Sequence, residues 1–313
     1  MKAHVIFNPV AGQRDVRSDL DQAIAYLESQ GWEIRLRETL GRGDATTYAR
    51  EAVAMGCDAV LLVSGDGTLG EAIKGLLGTD VALGVLPVGL TNVWARQLGL
   101  PVWSPISRHY LVESAVAMAQ SHVRRIDVGR VNGRCFIFCT GVGFDARVTE
   151  VVEPHQMVKR RLGHLVYAIA AIAEVLSFVG TKATITIDGG TLRGRVLLVI
   201  ASNAQLYSGF VRVAPNARLD DGLLDVCVFR GQGTWTMLSH VIRLLAGKHM
   251  QDPRTVYYRA RRIEIETAAP MPVHADGDSV GSTPVIIEII PRSLNVLVPP
   301  SAPEDLFTKR PSL

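Results

Sequence analysis

Residues 60–77 read VLLVSGDGTLGEAIKGLL, and this stretch decides the fold. Ala59 to Val63 is a continuous apolar run of the kind that forms a strand buried on both faces. Ser64-Gly65-Asp66-Gly67-Thr68 reads as a turn, and Gly70 to Leu77 has helical spacing. Strand, glycine-rich turn and helix in that order start a βαβ unit of an open parallel sheet. Gly65, Gly67 and Gly70 satisfy G-x-G-x-x-G, a pattern that alone is weak evidence for a dinucleotide. Two features argue against one. The next strand, Val81 to Leu86, runs into Pro87-Val88 and offers no acid to a ribose. Asp66 sits inside the turn, where a carboxylate repels a pyrophosphate unless a cation lies between them. Mg2+ is the natural choice, because it joins one or two carboxylates to phosphate oxygens. No G-x-x-x-x-G-K-[ST] is present, which excludes a P-loop.

The alternation continues on both sides. Val5 to Phe7 starts a strand, Asp19 to Gln30 a helix, and Trp32 to Arg37 a second strand. Asp44 to Met55 reads as a helix with Asp44 as its N-cap. Asn92 to Leu98 starts a helix after a Pro-Val-Gly turn. Two further turns, Asn8-Pro9-Val10-Ala11-Gly12 and Pro87 to Asn92, follow strands, as the Ser64 turn does. In a doubly wound sheet such turns gather at the carboxyl ends of the strands, where ligands bind.

Beyond about Asp127 the rhythm becomes β-rich. Strands are expected at 127–131, 134–139, 183–187, 196–201, 222–229, 261–267 and 285–290. Asn132-Gly133, Asp188-Gly189-Gly190 and Asp221-Gly222 are turn signals between them. Helices are expected at 162–179 and at Thr234 to Leu245. The fold class is therefore α/β: a doubly wound N-terminal domain (1–129), a β-rich, antiparallel, sandwich-like C-terminal domain (130–290), and a return segment with a loose Pro- and Ser-containing tail (291–313).

Composition sets limits. Of 313 residues, 48% are hydrophobic and 20% charged, enough for a large core. A net charge of +3 is too mild for a nucleic-acid binder. Cys57, Cys135, Cys139 and Cys227 form no Cys-x-x-Cys pair and read as buried reduced thiols. The N-terminus reads as a strand, not a signal peptide. Leu162 to Val179 is apolar but contains His164 and Glu174, which argues against a transmembrane span.

At the three turns the chain resembles the diacylglycerol kinase catalytic-domain superfamily, which includes sphingosine kinases and bacterial lipid kinases. Asn8 to Gly12 matches N-P-x-(S/A)-G. Ser64 to Thr68 matches G-G-D-G-T with Ser64 for the first Gly. Pro87, Gly89, Asn92, Ala95 and Arg96 match P-x-G-T-x-N-x-x-A-R with Leu90 for the Thr. The likeness continues through Arg125 to Gly129, Thr140 to Asp145, Pro215 to Asp225, and Asp276-Gly277-Asp278, which resembles D-G-E.

The resemblance implies an NAD-kinase-like nucleotide domain, a β-rich substrate domain and an active site between them. It implies ATP and Mg2+, with Asp66 holding the catalytic Mg2+ through water and Asn8, Gly12, Gly65, Gly67, Thr68 and Asn92 around the nucleotide. Arg96 would stand by the phosphates, Asp127 near the acceptor hydroxyl, and Asp278 would be the general base. Asp221, with the carbonyls of Arg218 and Leu223, matches a structural metal loop. The last strand would return to the first domain at Asn295 to Val298. Four departures bear on activity. A positive φ at Ser64 would be strained. Leu90 lacks a hydroxyl, for which the adjacent Thr91 offers one. Asp278 is a methylene shorter than Glu. Gln13 stands where some relatives have Lys.

The expected reaction is transfer of the γ-phosphate of ATP to a lipid hydroxyl, diacylglycerol or similar, at a membrane surface. The rivals are an NAD kinase and a catalytically weak lipid- or nucleotide-binding homologue. Lys159-Arg160-Arg161, ahead of an apolar stripe at Leu165, Ile169, Ile172 and Leu176, suits a cytoplasmic protein that docks peripherally on the inner face of the membrane.

Overall fold

The computed structural model describes residues 1–12, 14–104, 107, 109–152, 179–207 and 209–308. The basic stretch at Lys159, the stripe that follows it, and Gln13 lie outside these residues. The chain forms two compact units, 1–127 with 292–313, and 128–291.

The first unit contains β1 (Lys2–Phe7), α1 (Arg17–Ser29), β2 (Glu33–Glu38), α2 (Asp44–Ala54), β3 (Ala59–Ser64), α3 (Asp66–Leu76), β4 (Ala82–Pro87), α4 (Val93–Gln97) and α5 (Tyr110–Ala119). Its strands are parallel in the order β2-β1-β3-β4. The chain winds outward from β1 in one direction to β2, then in the other to β3 and β4. The switch point is thus the gap between the carboxyl ends of β1 and β3, where ligands of such sheets bind. β3 and β4 are buried along their whole length, as strands covered on both faces must be.

Several expectations need correction. Asp44 does not cap α2: Gly43 holds the N-cap position, and the Asp44 carboxylate accepts the N–H groups of Leu40 and Gly41 behind it. Helix α3 begins at Asp66, not Gly70, so most of the glycine turn is the first turn of a helix. Ser64 is the last residue of β3, paired with Pro87, and has no positive φ, so no Cβ strain arises there. The tail is not loose through Thr308. Leu306 and Phe307 are buried, and the Arg124 guanidinium stacks 4.4 Å from the Phe307 ring centre.

β5 (His122–Val131) leaves the first unit. The second unit holds β6 (Arg134–Phe136), β7 (Cys139–Gly143), α6 (Phe144–Val152), β8 (Thr181–Ile187), β9 (Gly190–Ser202), β10 (Leu206–Tyr207), β11 (Val211–Arg212), β12 (Leu224–Arg230), α7 (Thr234–Leu245), β13 (Thr255–Ala260), β14 (Arg262–Thr267), β15 (Pro272–Ala275) and β16 (Asp278–Ser282). β17 (Val285–Val298) starts here and ends in the first unit, where Val296 pairs with Leu83 of β4 in parallel. The pairings within the second unit are antiparallel, around a core that includes Phe136, Val199, Val226, Ile263 and Ile287. Asn132-Gly133 and Asp188-Gly189 have positive φ at both residues, the backbone of a two-residue hairpin turn.

The strand expected over 134–139 is broken at Ile137, because the Asp276 carboxylate takes the N–H groups of Ile137, Phe138 and Cys139. β13, β15 and β16 carried no expectation. Three cysteines are buried and Cys135 is partly exposed; none of the four is in a disulfide.

Candidate active site

In the first unit the three turns after β1, β3 and β4 are packed on one another. A Cβ on Gly12, whose φ is +77°, would lie 2.1 Å from the Val88 carbonyl oxygen. A Cβ on Gly89 would lie 2.6 Å from the Gly65 Cα. These glycines are required by backbone contact between turns. Asn8 adds a side-chain tie: its Nδ2 donates to Thr68 Oγ1 at 3.0 Å, and its Oδ1 accepts the Val10 N–H at 3.1 Å.

Gly67 differs. A Cβ there would meet nothing within 4 Å. Glycine inside a helix costs about 1 kcal/mol relative to alanine, and no packing in the first unit requires it. It leaves the start of α3 bare. The N-cap Gly65 has no side chain to satisfy the first-turn N–H groups, which a bound anion would satisfy.

Asp66 lies in that first turn, with its carboxylate on the start of α4. Oδ2 accepts the Thr91 hydroxyl at 2.8 Å and the Val93 N–H at 3.0 Å; Oδ1 accepts the Trp94 N–H at 3.3 Å. The hydroxyl next to Leu90 is therefore committed to Asp66. Asn92 is buried with φ +48° and donates through Nδ2 to the Gly89 carbonyl, while its buried Oδ1 has no hydrogen-bond partner. Arg96 is exposed and tethered through Nε to the Thr91 carbonyl at 3.0 Å. Asp127 is fully buried and accepts the Arg292 N–H at 2.7 Å, at the point where β17 re-enters this unit.

In the second unit, Asp276-Gly277 is a hairpin turn between β15 and β16, with φ of +50° and +84°. Asp278 opens β16 and pairs with the Arg134 guanidinium. Burial pushes the Asp276 carboxyl up to about 6, against the pull of its three backbone N–H donors. His274, just before this turn, accepts the Gly277 N–H on Nδ1 at 3.2 Å. Its Nε2 is therefore the protonated nitrogen and donates to Asp145 Oδ2 at 2.9 Å. Burial opposes a charge on the His274 ring, but the Asp145 carboxylate outweighs it and raises the ring's pKa. The sequence signal for Asp145 and Asp276 was their place in the matched stretches; His274 carried none.

The Asp221 loop is charged within the chain. Asp221 Oδ1 accepts the Leu223 N–H at 3.0 Å, and Oδ2 pairs with Arg259. Arg218 is exposed. Asp225 is fully buried, its oxygens have no hydrogen-bond partner, and Arg259 Nε lies 3.9 Å away. Among the described residues no group of three or more His, Cys, Asp or Glu side chains is arranged to hold a metal ion. Nor, among those residues, is any helix long and apolar enough to cross a membrane.

Known proteins show the same organisation. The diacylglycerol kinase catalytic domain matches residues 2–131, and the YegS C-terminal NAD kinase beta sandwich-like domain matches 139–298. The chain is 30% identical to a diacylglycerol kinase of Bacillus subtilis (strain 168), over 97% of this chain and 99% of that one. It is 26% identical to a diacylglycerol kinase of Staphylococcus carnosus (strain TM300), over 95% of each. A crystal structure of a diacylglycerol kinase from Bacillus anthracis str. Sterne superposes with a TM-score of 0.74 at 25% identity, covering 96% of this chain and 98% of that one. Matching domains in matching order over nearly the whole length place this chain in the diacylglycerol kinase family.

Proposed function

We propose that the chain transfers the γ-phosphate of ATP to the hydroxyl of a lipid, diacylglycerol or a similar alcohol. The observation that carries this reading is the bare start of α3 beside the switch point, left uncovered by Gly65 and Gly67 and framed by turns that Gly12 and Gly89 allow to pack together. The backbone N–H groups there take the phosphates, with Asn8, Thr68 and Asn92 around the nucleotide and Arg96 beside its charge.

Bound Mg2+ supplies neutralisation of the phosphate charge. Asp66 fits an ion held through water: three hydrogen bonds leave one of the roughly four acceptor positions of its carboxylate open. A second ion at Asp221, with the carbonyls of Arg218 and Leu223, would have to displace Arg259.

In the transfer, the lipid oxygen forms a bond to the γ-phosphorus as the bond to the β,γ-bridging oxygen breaks, and ADP leaves. The acceptor hydroxyl proton passes to Asp278, which Arg134 orients. Asp127 acts near the same hydroxyl. The protein contributes positioning and charge neutralisation. Labelled ATP offered to a panel of lipid alcohols in mixed micelles, alongside NAD, tests the reading. A phosphorylated lipid that depends on added Mg2+ is expected. Label in NAD alone would make the chain an NAD kinase.

A further inference from the structure

Helix α7 has two apolar faces. Met237 and His240 are buried against the second unit, with Val241 and Leu244 partly so. On another side, Trp235 is 83% exposed, Leu238 37%, Ile242 57% and Leu245 64%. At 3.6 residues per turn these four fall within an arc of roughly 80° and run about 15 Å along the axis. A helix that packs on a domain by one side turns charge to water on the other. Single exposed apolar residues are ordinary, but four in one stripe mark a contact surface.

The charges along this segment have one sign. From Gly231 to Gln251 there is no Asp or Glu, while Arg243 and Lys248 are exposed at the C-terminal end. That end is fixed in place. Arg243 Nε lies 3.3 Å from the buried Asp252, which also pairs with Arg254 at 2.8 Å. Helix α7 lies against β11, and Phe210, the residue before β11, is 65% exposed. A tryptophan and an aliphatic stripe, ending at the exposed Lys248 in a segment that holds no acid of its own, are the chemistry of a helix lying in the plane of an anionic bilayer. A second copy of the chain is the weaker fit. The stripe offers on the order of 500 Å², below the about 800 Å² per partner of a stable protein interface.

We propose that α7 docks in the interfacial layer of an anionic lipid bilayer, with Trp235, Leu238, Ile242 and Leu245 at the acyl boundary and Lys248 among the headgroups. The proposal rests on the lipid-kinase reading for its lipid surface but assigns the contact to this helix.

The test uses the full chain and vesicles of phosphatidylcholine with and without phosphatidylglycerol, read by co-sedimentation and tryptophan fluorescence. Wild type is expected to bind the anionic vesicles with a blue shift. Trp235→Ser is expected to lose that shift and, like Leu238→Ser/Ile242→Ser, to bind about tenfold more weakly. Lys248→Glu is expected to weaken binding to the anionic vesicles only. All three variants should melt with wild type, since they alter exposed positions, and should turn over a detergent-dispersed short-chain substrate normally. Wild type that ignores vesicles, or variants that bind as well as wild type, overturn the proposal. So does a wild-type dimer that the variants convert to monomer. A large fall in melting temperature would show that the chain itself covers this face, and would also overturn it. Lipid phosphorylation with unaltered variant binding removes this inference alone. Variant-sensitive binding without phosphorylation of any lipid removes the kinase reading alone.

Discussion

The Asp66 carboxylate and the Thr91 hydroxyl lie 2.8 Å apart, which ties the first turn of α3 to the turn that leads into α4. The same carboxylate holds the Val93 and Trp94 N–H groups, so it caps α4 from outside that helix. A charged acceptor at a helix N-terminus stabilises by about 0.5–2 kcal/mol. Asp66→Asn keeps one acceptor oxygen and loses the charge. It is expected to lower the melting temperature by only a few degrees while turnover falls about a hundredfold or more. Thr91→Val removes one donor and should cost roughly 1 kcal/mol, with turnover within about tenfold of wild type. Melting curves beside steady-state kinetics separate capping from catalysis; near-normal turnover in Asp66→Asn would remove the metal-site role.

Gly12 and Gly67 make opposite predictions. Gly12 has a positive φ and the Val88 carbonyl where a Cβ would go, so Gly12→Ala should destabilise by about 1–3 kcal/mol. Gly67 has open space, so Gly67→Ala should stabilise by up to about 1 kcal/mol. If the start of α3 receives phosphate, the same methyl group stands in the ligand's way, and the KM for ATP rises. A more stable variant with unchanged ATP affinity would move the nucleotide elsewhere.

Local chemistry made parts of this fold legible. Apolar runs followed by glycine turns gave the parallel sheet, and Asn132-Gly133 and Asp188-Gly189 gave hairpins because both residues of such turns need φ above zero. Helix α7 was legible in its span but not in its orientation, since both its faces are apolar. What stayed hidden depends on distant partners. Arg134 to Cys139 reads as one strand, and only Asp276, more than 130 residues away, explains the break. The bond from the Arg292 N–H to Asp127 crosses 165 residues of sequence. The His274–Asp145 pair had no local pattern.

Asp276 predicts a pH dependence. Burial pushes its folded carboxyl up to about 6, from the ordinary 3.8 of an aspartate in the unfolded chain. Between those values the folded chain holds a proton that the unfolded chain has released, so this group favours folding at low pH and that contribution is lost as pH rises through about 6. The loss is roughly 2–3 kcal/mol. Stability measured by denaturant at steps across this window should carry that downward contribution, and Asp276→Asn should flatten it. A wild-type curve that matches the Asn variant throughout would rule out a raised Asp276.

Asp278 opens β16 at the turn that Asp276 and His274 hold, half-exposed and paired with Arg134. A general base placed there needs reach more than burial, and one extra methylene has room at a half-exposed strand start. Asp278→Glu is therefore expected to keep turnover within about tenfold of wild type, and Asp278→Asn to lose about 10²–10⁴-fold. The ion pair is too exposed to matter to folding by more than about 1 kcal/mol, so both variants should melt close to wild type. The decisive measurement is kcat for the Asn variant at saturating ATP and lipid. Retained turnover there would transfer the proton-accepting role away from Asp278, and the carboxyl of Asp276, on the same turn and pushed up to about 6, would be the next to replace.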